Sequence, residues 1–375
     1  MYSRNPPKKS KTFIYFLSLL SAALSIFTFF LSLSNVLTSK KGALRILAAS
    51  FVLPSGKNTK INVEHVANNG IYTDIISLKN KNFSSNTQNI FSDSSIDEIA
   101  KNTPIFNWPH EDGESTYKIV ECLFGASGSK FENFFINNKT SLDINFGAKL
   151  NERPDINIKK DGSPQVLVFH THTTEAYMDK DQGFYYQNFH PRSLDPKFNV
   201  VQVGDAICKS LENSGIKTIH DTTCHDDPGY SGSYNRSAQT IDKNLKKYPS
   251  ICVVLDIHRD TIENKEKTKI KPTFSINGKK AAQIMIIAGC DADGTLEHPD
   301  WEHNLKFALR LHKQVETMFP GMTRSLLFKN SRYNMHKSHG SLLIEVGSDA
   351  NTLNEAVYSG ALLGRALSEV LNKLT

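Results

Sequence analysis

Three short stretches of the chain end apolar runs in residues that can do chemistry. They are Phe169-His170-Thr171-His172-Thr173-Thr174-Glu175-Ala176-Tyr177, Leu255-Asp256-Ile257-His258-Arg259-Asp260, and Leu343-Ile344-Glu345-Val346-Gly347-Ser348 followed by Asn351-Thr352. In an extended strand His170 and His172 point to the same side. If the chain turns helical after His172, then His172 and Glu175, three residues apart, share a face. They would offer one imidazole and one carboxylate to a single ion, and His258 could supply the third ligand. Two neutral imidazoles and a carboxylate are a ligand set of catalytic zinc, with a fourth position left for water. Such an ion acidifies that water, and a neighbouring carboxylate can take the proton as general base and return it to a leaving amine. Glu345, near the end of an apolar strand and two residues before a glycine, is placed for that role. Each feature alone has an ordinary explanation, since a histidine at a strand end often only hydrogen-bonds. The coincidence of three strand ends, each bearing a ligand or a base, points to a metal site.

Other residues are weaker candidates. His336 and His339 precede the third strand and could contact substrate, or lie in a solvated loop. Asp226 could orient a ligand histidine, or begin a turn. Arg236 and Arg259 could bind a substrate carboxylate bidentately, or serve structural ion pairs. There is no Gly-rich phosphate loop and no G-x-S-x-G, so serine-nucleophile chemistry has no support.

Elements that would position these residues follow from the apolar pattern. Val166-Leu167-Val168-Phe169 reads as a buried strand, Val200 to Asn213 as a helix ended by Gly215, and Ile216 to Ile219 as a second strand. Ser237 to Lys247 can be a helix. Ser250 to Ile257 reads as a central strand, Ala282 to Ala288 as a fourth, and Ser341 to Val346 as another. Asn304 to Met318 and Thr352 to Leu374 read as helices, and Thr261 to Lys280 as a hairpin or loop insertion. Strands alternating with helices predict an α/β domain, a mostly parallel twisted sheet flanked by helices. The turn cluster Asp161-Gly162-Ser163-Pro164 suggests the main boundary, so that this domain spans 164–375.

Composition narrows the class. The 375 residues include 44 Lys plus Arg and 38 Asp plus Glu, a net charge of +6, with 39% hydrophobic and 22% charged residues. A sizeable core is possible. The mild basic excess fits an anionic wall or membrane surface and is too diluted to argue for nucleic acid. Five cysteines, Cys122, Cys208, Cys224, Cys252 and Cys290, form no CxxC, which excludes a zinc ribbon. Residues 12–39 carry no charge, and Arg4, Lys8, Lys9 and Lys11 precede them. We therefore expect a basic cytoplasmic tail over 1–11, a transmembrane anchor over 12–36, and the remainder outside the cytoplasm. A cleaved signal peptide is the alternative. Residues 37–163 read as a membrane-proximal region and linker, Asn/Ser-rich between Lys79 and Ser95.

Taken together, the three strand ends and Tyr234-Asn235-Arg236-Ser237 resemble the stage II sporulation protein P family of endospore-forming bacteria. The resemblance covers roughly Pro164 to Leu374. It implies an amidase-like zinc hydrolase of peptidoglycan that separates stem peptides from N-acetylmuramic acid and also cleaves peptide crosslinks. It further implies a cell-membrane location, single-pass, with membrane lipid as one contact and an engulfment complex with a lytic transglycosylase and membrane proteins as partners. Carried over to this chain, the metal residues are His172, Glu175 and His258, and the catalytic residue is Glu345. The His-to-Glu spacing is shorter than in typical amidases, which leaves His170 as a rival to His172. His172 is preferred because it is nearer the loop and could share a face with Glu175. A zinc carboxypeptidase-like enzyme and a non-catalytic wall-binding adaptor are the competing readings.

Overall fold

Apolar runs become strands and periodic stretches become helices in a computed structural model that describes residues 66–68, 71–73, 94–101, 103–125 and 127–375. In chain order the elements are β1 (Val66–Asn68), β2 (Ile71–Thr73), α1 (Ser94–Lys101), β3 (Thr116–Cys122), β4 (Ser129–Phe131), β5 (Phe134–Asn138) and α2 (Phe146–Asn151). There follow β6 (Val166–Phe169), β7 (Phe184–Tyr186), α3 (Val201–Asn213), β8 (Thr218–His220), α4 (Ser233–Lys247), β9 (Val253–Asp260), β10 (Lys269–Ile276) and β11 (Lys279–Ala282). The last are β12 (Ile284–Cys290), α5 (Trp301–Met318), β13 (Leu326–Asn330), β14 (Gly340–Ser348) and α6 (Leu353–Leu371).

The main sheet has eight strands in the order β4-β5-β13-β12-β14-β9-β6-β8. β8, β6, β9 and β14 are mutually parallel, and so are β12, β13 and β5. The two blocks meet antiparallel at β12 and β14, and β4 is antiparallel to β5. The sheet is therefore mixed, where the sequence predicts a mostly parallel one. Residues 331–339, between β13 and β14, hold a single 3-10 turn. A parallel crossover needs a dozen or more residues, so the chain returns antiparallel to β12. Hydrophobic runs report burial on both faces and say nothing of direction, which is why the pattern misleads here. A second, four-stranded sheet has the order β11-β10-β3-β7 and is also mixed.

Alternation along β9 sorts its side chains between two layers. Val253, Leu255 and Ile257 enter the large core with residues of α3, α5 and α6, while Val254 packs with Leu167, Phe169 and Ile241 of α4. Asp256 and His258 continue the Val254 face. α6 starts with a capping box: Thr352 Oγ1 accepts from Glu355 N–H, and Glu355 Oε2 accepts from Thr352 N–H.

The expected boundary at 163/164 is not the edge of the folded unit. β5 pairs with β13 in the main sheet and β3 with β10 in the second, and one compact unit runs from Val63 to Thr375. The expected anchor over 12–36 lies outside the described residues. Among the described residues no helix is long and apolar enough to cross a membrane.

Candidate active site

The carboxyl ends of β6, β9 and β14 lie side by side, with Phe169 in register with Asp256, and Leu343 and Glu345 in register with Asp256 and His258. In-register neighbours of a parallel pair project to the same face. His258 and Glu345 therefore stand next to each other on the α4 side. β6 stops at Phe169 and the chain turns over Thr171–Thr174. That turn is tied to β9, because Asp256 accepts from Thr171 N–H at 2.8 Å and from Thr171 Oγ1 at 2.6 Å.

The turn separates the two histidines that an extended strand would have aligned. His170 faces α3. Its Nδ1 lies 2.9 Å from the Ile257 carbonyl oxygen and its Nε2 lies 2.9 Å from His220 Nε2, and His220 Nδ1 is 2.8 Å from Asp205. Gly204 makes room for both rings, since a Cβ there would collide with them. His172 swings the other way. Its ring stacks on Tyr230 at 4.1 Å and meets Tyr234 at 5.7 Å and His258 at 5.4 Å.

His172, Glu175, His258 and Asp256 are all buried. Glu175 Oε2 accepts from Arg259 N–H at 3.1 Å and lies 3.5 Å from His258 Nδ1. On the other side of His258, Asp256 Oδ1 is 2.8 Å from Nε2 but off the N–H axis, so that nitrogen makes no hydrogen bond. His172 Nδ1 and Glu345 Oε2 are likewise buried without a partner.

The electrostatics divide these groups. Burial pushes the His172 imidazole down to about 4, so it is neutral near pH 7 with a lone pair to offer. Burial opposes a charge on His258, but the Asp256 and Glu175 carboxylates outweigh it and hold its pKa well up. Burial likewise opposes the Glu175 charge, but His258, Arg259 and His172 win and hold its carboxyl down at about 2. Glu345 goes the opposite way. Burial and the nearby Asp260 carboxylate push it up to about 8. Gly347, at φ +67, sits where the pairing with β9 shifts register between Glu345 and Ser348, and a Cβ there would lie 2.6 Å from Asn351 Oδ1.

Zinc is the group that the sequence calls for here. Two buried imidazole nitrogens without hydrogen-bond partners, beside two carboxylates, are the borderline donors zinc takes. The residues fit the ion in kind, although a metal must displace the proton that His258 holds. They do not yet converge. Among the described residues, the donors that lie within 4.8 Å of one another are Asp155, His303 and His339.

The weaker candidates have other work. Asp226 accepts from Thr174 N–H at 3.1 Å and from Arg192 Nη1 at 2.8 Å, so it braces the turn and orients no ligand histidine. Arg236 donates to the carbonyl oxygens of His225, Gly229 and Ser231, and Arg259 to those of Ala176 and Pro191. Both guanidinium groups thus serve backbone carbonyls of the surrounding loops, the structural role rather than the carboxylate clamp of the carboxypeptidase-like reading. His339 precedes β14, six residues before Glu345, or about 20 Å along a strand. His336 lies in the same turn, near His298. Sequence reasoning missed the part played by Asp256 and the aromatic wall of Tyr230 and Tyr234. The i, i+2 spacing of Asp256 and His258 was the available signal for the first.

The stage II sporulation protein P family matches residues 60–368. The stage II sporulation protein P of Bacillus subtilis (strain 168) is 29% identical over 216 residues, 55% of this chain and 50% of that protein. The chain thus spans half the length of that relative. Solved structures that match are the N-acetylmuramoyl-L-alanine amidase AmiC2 of Nostoc punctiforme (10% identity, TM-score 0.31, 58% of this chain and 97% of that one) and the N-acetylmuramoyl-L-alanine amidase from Clostridium difficile 630 (16% identity, TM-score 0.32, 57% and 97%).

Proposed function

From the premise that the chain belongs to the stage II sporulation protein P family, we propose that it hydrolyses peptidoglycan during endospore formation. The bond cleaved is the amide between N-acetylmuramic acid and the stem peptide, together with peptide crosslinks. The observation that carries this reading is the placement of His172, Glu175, His258 and Glu345 around three adjacent strand ends, with His172 Nδ1, His258 Nε2 and Glu345 Oε2 buried without a hydrogen bond.

In this reading His172, Glu175 and His258 hold zinc, and Glu345 moves the proton. Zinc, when bound, supplies positive charge that polarises a carbonyl and acidifies water. The neighbouring residues do the rest. Asp256 fixes the turn that carries His172, and Arg259 N–H fixes Glu175. Glu345 accepts a proton from the attacking water and passes it to the nitrogen of the breaking C–N bond, releasing a free amine and a carboxylic acid. A carboxylate whose own surroundings lift it to about 8 is a stronger base than a free one and takes the proton of water more readily, and a dication beside it would favour the charged form that this step needs.

A single-pass anchor over 12–36 would place this site outside the cytoplasm, against the wall, with engulfment proteins as its partners. The test is digestion of purified peptidoglycan by the full chain, with products identified by mass. Free stem peptides and peptide-free glycan support the amidase. Intact sacculi, with zinc present and the chain folded, would leave the wall-binding adaptor as the better description.

A further inference from the structure

A second cluster of donors lies at the opposite end of β14 from Glu345. His339 Nδ1 is 2.6 Å from Asp155 Oδ2, and His303 Nδ1 is 4.0 Å from the same oxygen. The two imidazoles are stacked, 4.1 Å apart and 9° from parallel. His303 Nδ1 is buried and makes no hydrogen bond. Two imidazole nitrogens and a carboxylate oxygen thus lie within 4.8 Å of one another, and Asp155, whose side chain is 63% exposed, leaves them open to water; one ion would take both nitrogens once the stacked rings swing apart.

The three residues come from distant parts of the chain. Asp155 follows α2, His303 lies in the first turn of α5, and His339 immediately precedes β14. Their mutual placement is built in by Asn304, which follows His303. Its Nδ2 donates to the carbonyl oxygens of Ser338 at 2.7 Å and Ser341 at 3.0 Å, clasping the loop on both sides of His339. His298 Nε2 contacts Asn304 Oδ1 at 3.1 Å and fixes that amide in turn. Asp300 Oδ2, 3.9 Å from His339 Nε2, stands where an outer carboxylate would orient the ring.

An ordinary ion pair between Asp155 and His339 accounts for the short contact alone. It does not account for the unpartnered nitrogen of His303, turned to the same oxygen. We propose that Asp155, His303 and His339 form a second divalent-metal site, with the two-imidazole, one-carboxylate set that suits zinc. Bound there, the ion ties the segment after α2 to α5 and β14.

The test uses the full chain, stripped with chelator and titrated with Zn2+ alone. Wild type should bind two equivalents. His303→Ala with His339→Ala should bind one, and Asp155→Asn should weaken this site by more than about 100-fold, because loss of even an outer partner costs about 10–100-fold. All three side chains are partly exposed, so the variants should fold, which circular dichroism checks. In a His172→Ala chain, Zn2+ should still raise the melting temperature, and adding His339→Ala should abolish that rise. Unchanged stoichiometry in the double variant, or no thermal shift by Zn2+ in His172→Ala, overturns the proposal. A His172→Ala chain that keeps both equivalents would instead refute the catalytic reading and leave this one standing.

Discussion

Glu345 and His172 sit in one cluster, yet their surroundings move them apart. Burial drives both towards neutrality, which makes one a proton carrier and the other a lone-pair donor. Glu345→Gln keeps shape and removes proton transfer. We expect turnover to fall by about 10²–10⁴-fold, with zinc content and melting temperature nearly unchanged. Wild-type turnover in that variant would remove Glu345 from the mechanism, and loss of zinc would move it among the ligands. His172→Ala, Glu175→Ala and His258→Ala should each lose the catalytic zinc, whereas His170→Ala should keep it because His170 is committed to Ile257 and His220. Metal analysis of the four variants decides between the two histidines. The residue types of this site were legible in the sequence. Their directions were not, since the strand ends at Phe169 and the turn over Thr171–Thr174 reverses the side His172 faces.

At the scale of elements, the strands and helices with long apolar patterns were readable, and β6, β9, β12, β14, α3, α5 and α6 form close to where their periodicity puts them. β3, β4 and β5 were not recognised: β4 is a three-residue edge strand, β3 buries only one of its seven residues and β5 exposes none of its five, so none shows period-2 contrast. α5 also carries a charge that it cannot hold. His312 Nε2 is 2.8 Å from Thr323 Oγ1, which itself donates to Glu316, so the proton sits on Nε2 and Nδ1 has no partner. Burial depresses this imidazole to about 3. A depressed folded-state value means that the unfolded chain takes up the proton first, so stability is full above about pH 6.5 and is lost as pH falls. Between pH 7.5 and pH 5 this one residue should cost about 2 kcal/mol. Urea unfolding of His312→Gln should show a shallower loss over that interval by about this amount; an unchanged slope would mean that His312 is protonated in the fold. His170, held down to about 3 by burial and by His220, acts in the same direction.

For the whole molecule, the sheet pairings decide what can be cut away. A fragment starting at Pro164 keeps every candidate catalytic residue but loses β5 from the main sheet and β3 from the second. It would expose the edges of β13 and β10, together with the core surface that Phe134 and Ile136 cover. We expect that fragment to aggregate or to unfold non-cooperatively, and a fragment from Val63 to unfold in one transition. Calorimetry of the two checks this, and an equally sharp transition for the shorter one would restore the boundary at 163/164. The turn cluster Asp161-Gly162-Ser163-Pro164 suggested that boundary, but a turn signal cannot tell whether the segment before it pairs with strands more than a hundred residues later.

Several backbone N–H groups around the site donate to side-chain oxygens rather than to other backbone. Thr171 N–H donates to Asp256, Thr174 N–H to Asp226, Arg259 N–H to Glu175, Ser348 N–H to Asn351 and Thr352 N–H to Glu355. These amides therefore record when the site comes apart. If its frame opens only with the whole fold, their deuterium uptake should be as slow as that of the β9 interior and should accelerate together under denaturant. Earlier uptake at Thr171 and Thr174 alone would reveal a loop that breathes to admit a bulky polymer while the sheet beneath it stays shut.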